Sequence, residues 1–141
     1  MLTSASCVSG TGPEAAEHIT VLLGGHRVGD QVGVTRASVA SILPHPEFNF
    51  NSGPYQYDFS LMTLAQAVNF STTVSPACLP WDVTKDYAGQ VATVTGWGLV
   101  DYIDYTDTST LQEVEVTVNT DEDCEEAYSK NDYGYTIDVG E

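Results

Sequence analysis

The stretch Y-Q-Y-D-F-S-L-M-T-L at residues 55–64 decides the fold, because a single acid, Asp58, opens a mostly apolar run. On a β-strand, the odd-numbered residues 59–63 point to one face and the even-numbered residues 60–64 to the other. A carboxylate at the head of a buried strand is costly unless hydrogen bonds satisfy it. Asp58 is therefore either a solvent-facing acid that caps the strand or a carboxylate with specific partners.

Four motifs lie in register along the chain. They are L-T-S-A-S-C-V at residues 2–8, D-F-S-L-M-T-L at 58–64, V-S-P-A-C-L-P at 74–80 and V-T-G-W-G at 94–98. The set resembles the trypsin-like (chymotrypsin-fold, S1) serine proteases, which typically read L-T-A-A-H-C-V, D-I-A-L-L-K-L, V-x-P-x-C-L-P and G-W-G at these places. Since the order and rough spacing match over nearly the whole chain, the resemblance rests on four motifs together and on no single one.

The resemblance implies an all-β fold, a partial double six-stranded β-barrel of the chymotrypsin type with a short intermediate helix near residues 120–129. It assigns residues 1–82 to the remainder of the N-terminal barrel and residues 83–141 to the first part of the C-terminal barrel. The family's amino-terminal I-V-G-G segment and its G-D-S-G-G-P nucleophile segment have no counterpart in the sequence. We therefore expect the chain to be one incomplete peptidase domain.

The resemblance also assigns the candidate catalytic residues. Asp58 falls at the position of the triad acid, which in this family orients the histidine. Ser6 stands at the histidine position, and a hydroxyl does not exchange a proton near neutral pH as an imidazole does. His45 lies in a turn element of the family, and neither His18 nor His26 lies in the motif that would place it beside Asp58. The sequence therefore predicts a secreted trypsin-like endopeptidase domain that is inactive as given; the alternative is a non-catalytic, protease-like binding module.

Local patterns predict individual elements. In residues 111–118, three valines (114, 116 and 118) alternate with Glu113, Glu115 and Thr117, which is typical of an amphipathic strand. Thr120 precedes three acids, which indicates a helix N-cap close to a capping box. On that helix, Cys124, Ala127 and Tyr128 are expected to share one face. The alternation of apolar residues slips between residues 34 and 37, which favours a β-bulge or a bend there.

The composition excludes several classes of partner. Twenty acids face four bases, and the net charge of −16 argues against nucleic acid and against an anionic membrane surface. We expect no cofactor and no metal; Asp30 alone occupies a loop that carries several carboxylates in calcium-binding relatives, and the acids of residues 101–107 lack calcium-loop spacing.

The resemblance implies a protein or peptide substrate and an extracellular location. No secretion signal is visible in the chain, and the specificity pocket cannot be identified.

Three cysteines and one glycosylation motif remain. Cys7, Cys78 and Cys124 have spacings that fit no metal motif. The resemblance implies that each forms a disulfide with a cysteine outside this chain, as secreted disulfide chemistry would predict; the alternative is three free thiols. Asn69-Phe70-Ser71 is an N-glycosylation sequon, whose use the sequence leaves open.

Overall fold

The computed structural model describes residues 1–8, 13–51, 56–82, 84–101 and 106–129. Its elements, in chain order, are β1 (Leu2–Thr3), α1 (Ala5–Val8), a 3₁₀ helix (Pro13–His18), β2 (Thr20–Leu23), β3 (Thr35–Pro44), β4 (Ser60–Leu64), β5 (Val91–Gly96), β6 (Leu99–Asp101), β7 (Thr106–Asp107), β8 (Gln112–Thr117) and α2 (Asp121–Ser129). Strands predominate among the described residues, so the predicted all-β class is confirmed.

The chain forms two compact units. The first unit comprises Met1–Gly25 and Gln31–Pro76, and the second unit comprises His26–Asp30 and Ala77–Glu141. The first unit contains one four-stranded antiparallel sheet in the order β1-β4-β3-β2. The second unit contains two antiparallel pairs, β5 with β8 and β6 with β7.

The core of the first unit lies on one face of its sheet. Val8, Ala16, Val39 and Met62 form a buried cluster, and partly buried apolar residues of β2, β3 and β4 pack around it. The alternation expected for β4 is confirmed, since Ser60 and Met62 are buried whereas Leu61 and Thr63 are exposed. The two helical segments α1 and Pro13–His18 supply Val8 and Ala16, so they cover this face.

The opposite face of the same sheet is apolar and exposed. Leu61 of β4 lies directly opposite Leu2 of β1 and Leu43 of β3, so three leucines form one row across three strands. Each of them keeps more than half of its surface accessible. Strand β3 contains a register shift between Val39 and Ser41, so the position predicted for the irregularity, between residues 34 and 37, was wrong. A phase slip in the sequence does not identify the partner strand, and the pairing with that partner decides where an extra residue falls.

The second unit differs from the expectation of half-buried elements. Strand β8 pairs with β5 over six residues, yet every one of its residues is exposed, including Val114 and Val116. Helix α2 likewise buries no residue: Tyr128 is exposed and Cys124 is only half-buried. The sequence patterns predict an apolar face on β8 and another on α2. In the described part of the second unit, neither face is buried.

Local hydrogen bonds fix loops and the start of the helix in the second unit. The Thr120 hydroxyl accepts the Asp123 N–H at 3.0 Å, which confirms the predicted N-cap of α2. Asp30 Oδ2 accepts the N–H groups of His26 and Arg27, so this acid closes its own loop. The hydroxyl and the N–H of Thr84 both donate to Asp82 Oδ1, and these bonds lower the pKa of the Asp82 carboxyl below its usual value.

Candidate functional site

Asp58 lies in a tight turn immediately before β4. The Phe59 N–H donates to the Tyr57 carbonyl at 2.7 Å, which closes a three-residue γ-turn centred on Asp58. Tyr57 has a φ of 55°, a left-handed conformation that a bulky residue adopts rarely and at a cost of about 1–3 kcal/mol. The turn directs the chain into β4 at Ser60 and presents the half-buried Asp58 at the head of that strand.

His45 supports this turn from the end of β3. Its ring stacks on Tyr57 with a centroid separation of 4.8 Å and an interplanar angle of 9°, and it meets Phe59 at 4.7 Å in a tilted arrangement. The His45 N–H donates to the Phe59 carbonyl at 3.0 Å, while its Nδ1 accepts the Glu47 N–H at 3.2 Å. These contacts compensate the strained conformation of Tyr57, and they give His45 the structural role in a turn that the sequence predicted.

Ser6 reaches Asp58 through the pairing of β1 with β4. Thr3 lies opposite Ser60 in that pairing, so the first turn of α1 begins near the head of β4. The Ser6 hydroxyl donates to Asp58 Oδ2 at 2.7 Å, and the Ser6 N–H donates to Asp58 Oδ1 at 2.6 Å. The two residues that the sequence singled out are therefore in direct contact, although they lie 52 positions apart in the chain.

Ser6 gives the Asp58 carboxylate two hydrogen-bond donors, one from the backbone and one from the side chain. The N–H groups at the start of a helix have no partner within the helix, and Asp58 satisfies one of them in α1. A hydrogen bond to an ionised carboxylate is worth about 1.5–3 kcal/mol. Each carboxylate oxygen has a donor from Ser6, so Asp58 is no longer an unpaired charge at a strand end. Chemically, this pair can hold the Asp58 carboxylate in a fixed position, but a hydroxyl cannot serve as a general base near neutral pH.

Among the described residues of the first unit, one buried side-chain oxygen has no hydrogen-bond partner, and the sequence analysis missed it. Ser60 is 1 % exposed, and its hydroxyl has no hydrogen bond among the described residues. It shares the buried face of β4 with Met62, so the hydroxyl lies on the side of the apolar cluster. The sequence did contain a signal for this buried hydroxyl. Ser60 occupies an even-numbered position of the strand, on the same face as the apolar Met62 and Leu64.

The described residues contain neither a metal-ligating cluster nor a membrane-spanning helix. Within the described ranges, no group of three or more histidine, cysteine, aspartate or glutamate residues is arranged to hold a metal ion. No helix in the same part of the chain has both the length and the apolar character needed to cross a membrane. The three cysteines are free in the structure, with Cys7 and Cys78 exposed.

The family model described as Trypsin matches residues 1–141, the whole chain. The chain belongs to the trypsin family of serine proteases. Granzyme B of Rattus norvegicus is 36% identical over 133 residues, which cover 93% of this chain and 49% of the relative. Granzyme H of Homo sapiens is 32% identical over 132 residues, with coverages of 93% and 49%.

Solved structures of the trypsin family agree with the fold. A structure described as neuropsin, a serine protease expressed in the limbic system of mouse brain, superposes with a TM-score of 0.78 at 29% identity. That match covers 99% of this chain and 56% of the neuropsin chain. The predicted chymotrypsin-like fold is thus confirmed. The chain spans about half the length of the curated granzymes that it matches.

Proposed function

We propose that this protein is a secreted member of the trypsin family in which the position of the catalytic histidine is occupied by Ser6 and that of the triad acid by Asp58. The observation that carries the proposal is the pair of hydrogen bonds between these residues, which couple Ser6 to the acid where the family couples its histidine. The family match over the whole chain supports this placement. The substrate class implied is a protein or peptide, and the reaction of the family is peptide-bond hydrolysis.

The substitution predicts that the site does not turn over peptides at ordinary protease rates. A serine protease needs a base that takes the proton of the nucleophile and returns it to the leaving group. In another serine protease, loss of the base or of the nucleophile lowers the rate by roughly a millionfold. With Ser6 in place of that base, Asp58 has no imidazolium to stabilise, so the acid alone contributes nothing to catalysis.

A non-catalytic binding function is the second candidate. The observation in its favour is that both oxygens of Asp58 accept hydrogen bonds from Ser6, so the acid is satisfied without any imidazole. Such a site keeps the protease scaffold as a recognition surface for peptide-like ligands. Both candidate functions involve the same fold and the same Ser6–Asp58 pair. They differ in whether a histidine at position 6 would by itself restore peptide hydrolysis.

Secretion and disulfide formation belong to the same proposal. Trypsin-family relatives imply an extracellular location, where cysteines are oxidised. We assign the partners of Cys7, Cys78 and Cys124 to segments outside these 141 residues, and the three free thiols are consistent with this. The 141-residue chain, denatured without reductant, is then expected to titrate close to three thiols.

The substitution Ser6→His, made in the longest form that the transcript encodes, tests the proposal. Peptide hydrolysis by the unmodified protein should be residual, and Ser6→His should raise it by several powers of ten. The variant Ser6→Ala is the matched control, because it removes the hydroxyl without supplying a base and should stay inactive. Ordinary turnover by the unmodified protein, about 1–10³ per second, would refute the assignment of Ser6. Failure of Ser6→His to restore any activity would favour the binding module.

A further inference from the structure

We propose that Asn69 carries an N-linked glycan, an inference that rests on the proposed passage through the secretory pathway. Asn69-Phe70-Ser71 is the one N-x-S/T triplet without proline in the sequence. In the reaction, the Asn69 amide nitrogen attacks the anomeric carbon of a lipid-linked oligosaccharide. The new C–N bond forms as the C–O bond to the lipid diphosphate breaks, the diphosphate leaves, and the amide loses one proton to a base of the transferase.

The structure places the triplet where a glycan needs no buried space. It lies in an irregular segment after β4, and Asn69, Phe70 and Ser71 are all exposed. Phe70 keeps 68% of its surface accessible, so the middle residue of the triplet does not anchor the segment in the core. No hydrogen bond among the described residues engages the Asn69 side chain. Attachment of a sugar therefore costs the fold neither a hydrogen bond of that amide nor a packing contact of Phe70.

The turn that follows the triplet is compatible with modification. The Ser71 N–H donates to the Val74 carbonyl at 2.8 Å, and the Ser71 hydroxyl accepts the Thr73 N–H at 3.2 Å. These bonds fix the chain on the carboxyl side of the triplet and leave its amino side open. Asn69 borders an open cleft of about 300 Å³ that is also lined by Arg36 and Ser38. A first sugar at Asn69 thus has room beside polar groups that can bind its hydroxyls.

The position of the glycan has a physical consequence for the first unit. That unit has only four acids and one base, and its sheet exposes the leucine row of Leu2, Leu61 and Leu43. Low charge and an exposed apolar face favour association. A glycan is bulky and strongly hydrated, so one at Asn69 adds solubility to the unit that lacks charge.

Expression of the chain behind a cleavable foreign signal peptide in eukaryotic secretory cells tests the assignment. The unmodified chain should migrate more slowly than its peptide-N-glycosidase-treated form, and mass spectrometry should find Asn69 converted to aspartate after release. Ser71→Ala should abolish the shift and Ser71→Thr should keep it. Thr73→Ala removes a neighbouring hydroxyl outside the triplet and should also keep it.

Two results would overturn the assignment. One is an unshifted chain whose foreign signal peptide has been cleaved, because that chain has reached the compartment of glycosylation. The other is a shift that survives Ser71→Ala. Since the foreign signal peptide replaces any natural leader, this outcome is independent of whether the natural protein is secreted. Retention of the natural protein inside cells would refute the proposed location, and the experiment would then establish only that Asn69 can be glycosylated when the chain enters the secretory pathway.

Discussion

The two units of this chain are stabilised by different means. The first unit contains all five buried apolar residues found in the described part of the chain, and four of them form one cluster. The second unit has no buried apolar side chain among its described residues, and it carries sixteen of the twenty acids and three of the four bases. Packing therefore dominates the first unit, whereas backbone pairing, turns and caps dominate the second. The candidate site, Asp58 and Ser6, belongs to the packed unit.

The largest difference between the units should appear when apolar side chains are truncated. Met62→Ala removes a residue of the buried cluster and should lower the free energy of unfolding by about 2–5 kcal/mol. The matched variant Val116→Ala in the exposed strand β8 should cost less than about 1 kcal/mol. Urea unfolding of both variants measures this. Equal losses would mean that the second unit has a core of its own.

Two serine-to-alanine substitutions sharpen the comparison inside the first unit. Ser60→Ala removes a buried hydroxyl without a described partner, and it should leave stability unchanged or raise it by about 1 kcal/mol. Ser6→Ala removes a donor to an ionised carboxylate and should lower stability by about 1.5–3 kcal/mol. Chemical denaturation distinguishes the signs. A loss of stability in Ser60→Ala would show that the hydroxyl has a partner.

A cap in the second unit should have a smaller and more local effect. Thr120→Ala removes the hydroxyl that accepts the Asp123 N–H and should destabilise α2 by about 1 kcal/mol. Thr120→Ser keeps the acceptor and should behave like the unmodified protein. Amide hydrogen exchange should accelerate in α2 alone, because the helix buries no residue that would couple it to a core. Faster exchange throughout the first unit would contradict the independence of this helix.

The smallest effect is expected from a single charge of the second unit. Thr84→Val removes the hydroxyl that chiefly lowers the pKa of Asp82, so this pKa should rise toward its usual value. A lowered pKa stabilises the folded state above the pKa of the unfolded chain, and that contribution disappears as the pH falls through the folded value. Because Asp82 is fully exposed, the midpoint of its NMR titration should shift to higher pH in the variant, whereas the melting temperature should stay unchanged. A clear loss of stability near neutral pH would contradict this.

The sequence predicted the pair at the site because both members lie in motifs. Asp58 heads an apolar strand, and Ser6 precedes a cysteine in a strand-to-helix segment. Both motifs can be recognised in the sequence without knowing that strand β1 pairs with strand β4. The left-handed turn at Tyr57 could not be predicted, since tyrosine has no preference for that conformation and the stacked His45 ring that compensates it is distant in sequence. Likewise, alternation in residues 111–118 predicted a strand but not whether any layer would cover it.

Titration of active sites by an acylating reagent tests the central claim most directly, that Ser6 stands where a base is required. The reagent is mixed with the unmodified protein in the longest form its transcript encodes, and the burst of released leaving group is counted per chain. We predict no stoichiometric burst from the unmodified protein or from Ser6→Ala. A burst near one per chain from the unmodified protein would show that the site has a working base, and it would contradict the assignment of Ser6 and Asp58.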